Sequence, residues 1–406
     1  MKLKYFITIL AITLLWSCSS DEPSNRKDNP GRIEYAEDII LTQEQKNIVS
    51  SYNHFATRLL ENVIENDKTG NIAISPLSVT TALGMVANGA TGETLDEITT
   101  LWGLPGSDIE SMNELNRLFL SKFPTLDPTA TFIPANSIWI NSSYDNISPA
   151  FKKIVNNIYY SQVNSISFDL LVNKVNAWVK DKTHGKIRNI LDMNPSGNIV
   201  LVNTLYFKAR WYAEFDKSLT KNRTFHNSDG NDIKVKMMDG GDKLYILSKN
   251  DKGDMVSIPY GNKAFRMDII IPNEGVDPIE AMSSLSEDRN YSSVKLRMPR
   301  FEVSSKYDLA DRLYELGLHR TISSNGDFSL MSPGIKGFNT IIHETRVSSE
   351  ETGVEVASAT VVGTYTAAPI PSKPEYELVT VDRPFIFLIS EASTNAIIFA
   401  GYVRNL

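Results

Sequence analysis

Apolar positions early in the chain recur at helical spacing. Ile48, Phe55, Leu59, Leu60 and Val63 fall on one face, which predicts an amphipathic helix ending near Asn66-Asp67. A second helix is predicted to begin at Ser78 and to run through Met85. Further along, the period changes. Residues 199–207 and 265–271 are nearly continuous apolar runs of strand length, as expected for strands covered on both faces. Val294, Leu296 and Met298 alternate with Lys295 and Arg297, the pattern of a half-buried strand with its basic pair in water. Two apolar runs, 385–389 and 396–400, flank a polar turn over 390–395 and predict a buried hairpin. Helices first and mixed strands later predict an α+β fold. No composition break or internal repeat follows Leu41, so residues 41–406 are read as one large domain.

The front of the chain does not share this pattern. Lys2 and Lys4 precede an apolar run over residues 5–16 that is too short to span a bilayer and has the form of a signal peptide. Residues 1–17 are therefore set aside from the fold. The single cysteine, Cys18, follows Leu15-Trp16-Ser17, and this tetrapeptide is similar to the bacterial lipoprotein box. The resemblance implies that Cys18 carries a palmitate-type lipid anchor; an ordinary cleaved signal with an incidental cysteine is the alternative. Residues 18–40, opening on Ser19-Ser20-Asp21-Glu22-Pro23, read as a flexible tether. Acidic residues behind an acylated cysteine resemble the export signal of surface lipoproteins. The expected location is the bacterial outer membrane, exposed at the cell surface, with the periplasmic face as the alternative.

Composition narrows the function classes. With 42% hydrophobic and 22% charged residues in 406, the chain is long and apolar enough for a substantial core. A net charge of −7 gives no positive field for phosphate backbones, so nucleic acid is not an expected partner. One cysteine excludes an intramolecular disulfide and any multi-cysteine metal site. No G-x-S-x-G, H-E-x-x-H, G-x-x-x-x-G-K-[ST] or G-x-G-x-x-G motif occurs, and His54, His184, His226, His319 and His343 are scattered singly. Neither a metal, a cofactor nor catalysis is expected.

Residues 348–374 form a long stretch of small, β-branched and turn residues. The first half is free of proline and has one charge, Glu355, between Val354 and Thr364, so it is competent to form a strand. The second half, with Pro369, Pro371 and Pro374, is not. At a period of two, Val354, Val356, Ser358, Thr360, Val362 and Thr364 share one face, and this set suits burial. On this pattern alone the segment is an edge strand followed by a proline-rich loop.

Within it, Glu351-Thr352-Gly353-Val354-Glu355-Val356-Ala357-Ser358-Ala359-Thr360 resembles the hinge of the serpin reactive-centre loop. Other serpin-like blocks occur in the family's order: Asn71-Ile72-Ala73-Ile74-Ser75-Pro76-Leu77-Ser78; Gly89-Ala90-Thr91-Gly92-Glu93-Thr94; Asn176-Ala177-Trp178-Val179 with Thr183-His184-Gly185-Lys186-Ile187; Leu201-Val202-Asn203-Thr204-Leu205-Tyr206-Phe207-Lys208 with Trp211; Met298-Pro299-Arg300-Phe301; and Asp382-Arg383-Pro384-Phe385. The resemblance covers about residues 41–406. It implies three sheets with eight or nine helices, a metastable state and an exposed reactive-centre loop. The resemblance further implies that a serine protease cleaves that loop, is caught as an acyl-enzyme, and is carried off as the loop inserts into the main sheet. Fourteen residues from Val354 would span about 48 Å as a strand.

The same resemblance assigns residues. Ser75, Ser78, Asn203 and His343 match the shutter beneath the opening sheet, and Trp211 matches the breach. Glu351, Gly353, Val354, Glu355, Val356, Ala357, Ser358, Ala359 and Thr360 match the hinge. Counting in the family's manner from Glu351 puts the reactive bond between Ala367 and Ala368, with Tyr365 or Ala368 as alternative residues before the cut. A small residue there suits elastase-like proteases with shallow pockets. Two positions depart from the family pattern: Val356 stands where inhibitory members prefer alanine, and Ala209 where glycine is usual. The expected function is suicide inhibition of serine endopeptidases by a monomer. A non-inhibitory serpin that binds or carries a ligand is the alternative, for which a charged or proline-containing hinge would be the sign. A glycan-binding or hydrolytic lipoprotein would need paired carboxylates that the sequence does not reveal. Activation by glycosaminoglycans is not expected, since residues 111–130 lack a basic cluster.

Overall fold

The computed structural model describes residues 35–106, 109–144, 146–195, 197–287, 291–353 and 376–406. The expectations placed on residues 1–34, including Cys18, and on Val354, Glu355, Val356, Ala357, Ser358, Ala359, Thr360, Tyr365, Ala367 and Ala368 lie outside the described residues.

Helix α1 (Gln43–Asn66) opens on a reciprocal cap. Thr42 Oγ1 accepts from the Gln45 N–H, and Gln45 Oε1 accepts from the Thr42 N–H. The helix buries the predicted face, with Ile48, Phe55, Leu59, Leu60 and Val63 all inside. Helix α2 (Pro76–Ala87) begins ahead of the predicted Ser78, because Ser75 caps it and Pro76 presets its first turn. All of its residues are buried. The remaining helices are α3 (Gly92–Leu101), α4 (Ile109–Lys122), α5 (Pro149–Tyr159), α6 (Leu171–Lys182), α7 (Pro278–Glu287), α8 (Ala310–Glu315) and α9 (His319–Ile322). The strands are β1 (Ile72–Ile74), β2 (Thr131–Asn141), β3 (Gln162–Ile166), β4 (Ile199–Lys208), β5 (Lys221–His226), β6 (Asp232–Asp239), β7 (Tyr245–Asn250), β8 (Gly253–Pro259), β9 (Phe265–Pro272), β10 (Tyr291–Pro299), β11 (Phe301–Asp308), β12 (Ile341–Ser349), β13 (Leu378–Thr380), β14 (Phe385–Glu391) and β15 (Ile397–Val403).

One sheet has the order β11-β12-β4-β2-β3. The other strands follow one hydrogen-bonded path, β1-β15-β14-β9-β8-β7-β10-β6-β5, with β13 beside β10. The expected third sheet is present but joined to the second through β10, whose residues 291–294 pair with β7 while 297–299 pair with β6. Lys295 and Arg297 of this strand, expected to face water alone, are tied instead to Asp242 and Asp239 at 2.8 and 2.6 Å. The hairpin expected at the C-terminus is β14–β15, paired antiparallel with an irregularity at Ile389/Ser390.

Helix α2 packs between the five-stranded sheet and the hairpin, touching β4 and β15. A second, smaller core lies on the opposite face of that sheet, where Val175 of α6 and Ile190 and Leu191 after it meet Val200, Val202 and Ile342. Residues ahead of Leu41 already contact the rest of the fold. The Ala36 N–H donates to Asn262 O at 3.1 Å, the Ile39 N–H donates to Ser393 Oγ at 2.9 Å, and Lys263 Nζ lies between the rings of Tyr35 and Tyr212. Among the described residues no helix is long and apolar enough to cross a membrane.

Candidate functional site

Strands β4 and β12 lie side by side in the middle of the five-stranded sheet, parallel, and paired from Leu201 with Ile341 to Tyr206 with Arg346. Beyond Arg346, β12 keeps only its β11 partner, up to Ser349 with Phe301, while β4 runs on against β2 as far as Lys208. The two strands part at this end. Residues 350–353 leave the sheet there, and every one of them is anchored to the chain that follows β4 or to their own turn.

Trp211 holds the turn from below. Its ring stacks on Tyr260 at 4.3 Å between centroids, its Nε1–H donates to Glu350 O at 2.7 Å, and its main-chain N–H donates to Thr352 O at 3.2 Å. The Phe215 N–H donates to Glu351 O at 2.8 Å. Gly353 has φ +96°, and a Cβ at that position would stand 2.5 Å from Ala209 O and from Trp211 N. Only glycine fits both the left-handed backbone and the close approach. The Glu351 carboxylate is buried, receiving hydrogen bonds from Arg300 Nη2 and Nε at 2.6 and 2.9 Å and from Thr220 Oγ1 at 2.5 Å. Burial alone would raise its pKa, but these donors outweigh it and hold the carboxyl below its ordinary value. Glu351 and Gly353, matched to the hinge, and Trp211, matched to the breach, are thus brought together, and Arg300, Thr220 and Tyr260 join them.

On the inner face, below the paired stretch, the four residues matched to the shutter converge. The Ser75 N–H donates to His343 Nε2 at 3.0 Å, so Nε2 is the acceptor and the ring proton sits on Nδ1, which faces Asn203 Oδ1 at 2.6 Å. Asn203 Nδ2 donates to Ser78 O and to Asn136 Oδ1, both at 2.6 Å. Ser75 Oγ donates to Ile398 O at 2.8 Å while accepting from the Ser78 N–H at 3.2 Å. Burial drives the His343 pKa down to about 3, against a smaller upward pull from Asn203, so the ring is neutral at physiological pH. Ser78 takes part through its main chain; its hydroxyl is buried with no partner among the described residues. Asn136 is the member that sequence reasoning missed. It sits in the middle of β2, directly opposite Asn203 in register, a pairing that only the laid-out strands reveal.

The arrangement is a closed pair of strands over a buried polar cluster, with a pinned turn at the end where they diverge. A family model described as Serpin (serine protease inhibitor) matches residues 50–406. The chain belongs to the serpin family. This serpin is 31% identical to Iripin-8 of Ixodes ricinus over 391 residues, covering 90% of this chain and 95% of that protein. It is 30% identical to the leukocyte elastase inhibitor of Bos taurus over 374 residues, covering 86% of this chain and 97% of that one. The crystal structure of tengpin, a thermophilic serpin in the native state, superposes with a TM-score of 0.79 at 28% identity, covering 92% of this chain and 98% of tengpin. The α+β serpin fold expected from the sequence is the fold observed. Among the described residues no group of three or more His, Cys, Asp or Glu side chains is placed to hold a metal ion.

Proposed function

We propose that this serpin is a suicide inhibitor of serine endopeptidases with elastase-like preference. Cleavage after Ala367 leaves an acyl-enzyme on that residue, and the freed segment from Val354 enters between β4 and β12 as a new strand. The observation that carries the reading is the divergence of β4 and β12 beside the pinned turn that ends on Gly353. The run Ala357-Ser358-Ala359-Thr360 is small and free of charge and proline, so a ladder can form along it. The relative from Bos taurus is named an elastase inhibitor, which supports a small residue before the cut. The second part of the proposal is that Cys18 is lipidated and anchors the protein to the bacterial outer membrane, facing outward.

The test is to mix the purified protein with pancreatic or neutrophil elastase, look for a complex that survives denaturing gels, and weigh the released C-terminal peptide. A stable complex with release from Ala368 onward is expected. Val354→Arg, which puts a charge on the face that must be buried, should be cleaved without complex. Cleavage of the parent chain with no complex and no gain in thermal stability would overturn the inhibitory reading in favour of a binding or carrier serpin. Anchoring is read separately, as incorporation of labelled palmitate that Cys18→Ala abolishes.

A further inference from the structure

We propose that Asp192, Lys306 and Glu344 form a latch over the β4–β12 seam that sets how fast a new strand enters it. The inference rests on the insertion reading above. After α6 the chain does not run straight into β4. Asn176 of α6 holds it back: Oδ1 accepts from the N–H groups of Ile190 and Leu191 at 2.9 Å each, and Nδ2 donates to Leu191 O at 2.7 Å. This connection lies over the outer face of the five-stranded sheet, in the small core that includes Val200 and Val202 of β4 and Ile342 of β12. It therefore touches both sides of the seam. On the β4 side Lys186 Nζ stands 5.7 Å from the centre of the Tyr206 ring; on the far side Asp192 Oδ2 accepts from Lys306 Nζ of β11 at 2.5 Å. Because β11 and β12 are paired along their whole length, they would move away from β4 together when a strand enters. The Asp192–Lys306 pair ties the covering connection to the part that must move.

Lys306 has a second claimant. It stands directly opposite Glu344 of β12 in register, on the same outer face. Glu344 Oε2 is buried and has no hydrogen-bond partner among the described residues. Burial raises the pKa of this carboxyl, with Lys306 pulling it back and Asp192 pushing it further up. Its register partner on β4 is Thr204, which is uncharged, and Arg346 two residues along β12 is engaged by Glu302 of β11 at 2.6 Å. Lys306 paired to Asp192 fastens the cover to the moving part. Lys306 paired to Glu344 releases the cover and satisfies the buried carboxylate with a partner that travels with it.

The latch is tested without protease, by adding a synthetic peptide of residues 354–367 to the purified protein and following its uptake by native-gel mobility and by the rise in thermal stability. Asp192→Asn should take up the peptide about two- to fivefold faster, the range expected for an exposed ion pair. Glu344→Gln leaves Lys306 to Asp192 and should slow uptake by a similar factor. Two changes of carboxylate to amide that shift the rate in opposite directions cannot arise from lost stability, which would move both the same way. Unchanged rates in both variants, or shifts of the same sign, overturn the latch and leave the insertion reading standing. Failure of the parent chain to take up peptide at all overturns the insertion reading, and the latch with it.

Discussion

The β14–β15 hairpin and the β4–β12 seam are both central strand pairs, yet they are held together in different ways. β14 and β15 are neighbours in the chain, antiparallel, and packed through Phe385, Phe387, Ile389, Ile398 and Ala400. β4 and β12 are parallel, and the two residues that meet at their centre, Asn203 and His343, are 140 positions apart. Apolar packing has no direction, and its strength follows the area it hides. A dry polar cluster is strong only while every member is bonded, and a half-satisfied one is worse than none. The hairpin is therefore built to stay closed. The seam is held by a polar cluster whose members would have to exchange partners if its two strands parted, as the proposed insertion requires.

That contrast can be broken from either side. The largest effect belongs to the hairpin: Phe387→Ala removes a fully buried ring that lies against Phe301, and should lower the unfolding free energy by about 3–5 kcal/mol in a denaturant titration. It should leave the rate of strand uptake in the folded fraction unchanged. Asn203→Ala should take away less, about 1–3 kcal/mol, by leaving the His343 Nδ1–H, Asn136 Oδ1 and Ser78 O unpaired. Its mark is local, with faster amide hydrogen exchange over residues 341–346 and unchanged exchange over 385–391. An effect of similar size comes from acid. The His343 ring is held neutral in the folded protein, with its pKa down at about 3, so its contribution is complete above the unfolded value near 6.5 and is lost as pH falls towards 3. At pH 5 the expected loss is about 2 kcal/mol from this group, read from unfolding curves at pH 7 and pH 5 and absent in His343→Gln.

Periodicity made the buried face of α1, the strands β4, β9 and β10, and the C-terminal hairpin legible, because each is apolar at one consistent spacing. β2 was hidden by Pro134 and Asn136 in its middle. The proline is tolerated because β3 pairs with β2 only from Ser137 onward, so one edge is open at Pro134. Asn136 is tolerated because Asn203 faces it across the ladder. At the site, Glu351, Gly353, Trp211 and the converging Ser75, Asn203 and His343 stood out through the family's motifs. The grip of Arg300 on Glu351 did not, nor did the pairing of Lys306 with Asp192 opposite Glu344. Both join residues that are ordinary in their own segments and become specific only when remote strands are laid side by side.

The clasp of Tyr35 and Tyr212 around Lys263 has a mechanical consequence. Tyr212 follows Trp211 directly, and Trp211 is the residue that grips Glu350 and Thr352. The chain from Tyr35 to Ile39 is thus held at two places, at Tyr212, one residue from the grip on Glu350 and Thr352, and at Ser393, in the turn between β14 and β15. Tyr35 and the turn that ends on Gly353 are thereby held through two consecutive residues, Tyr212 and Trp211.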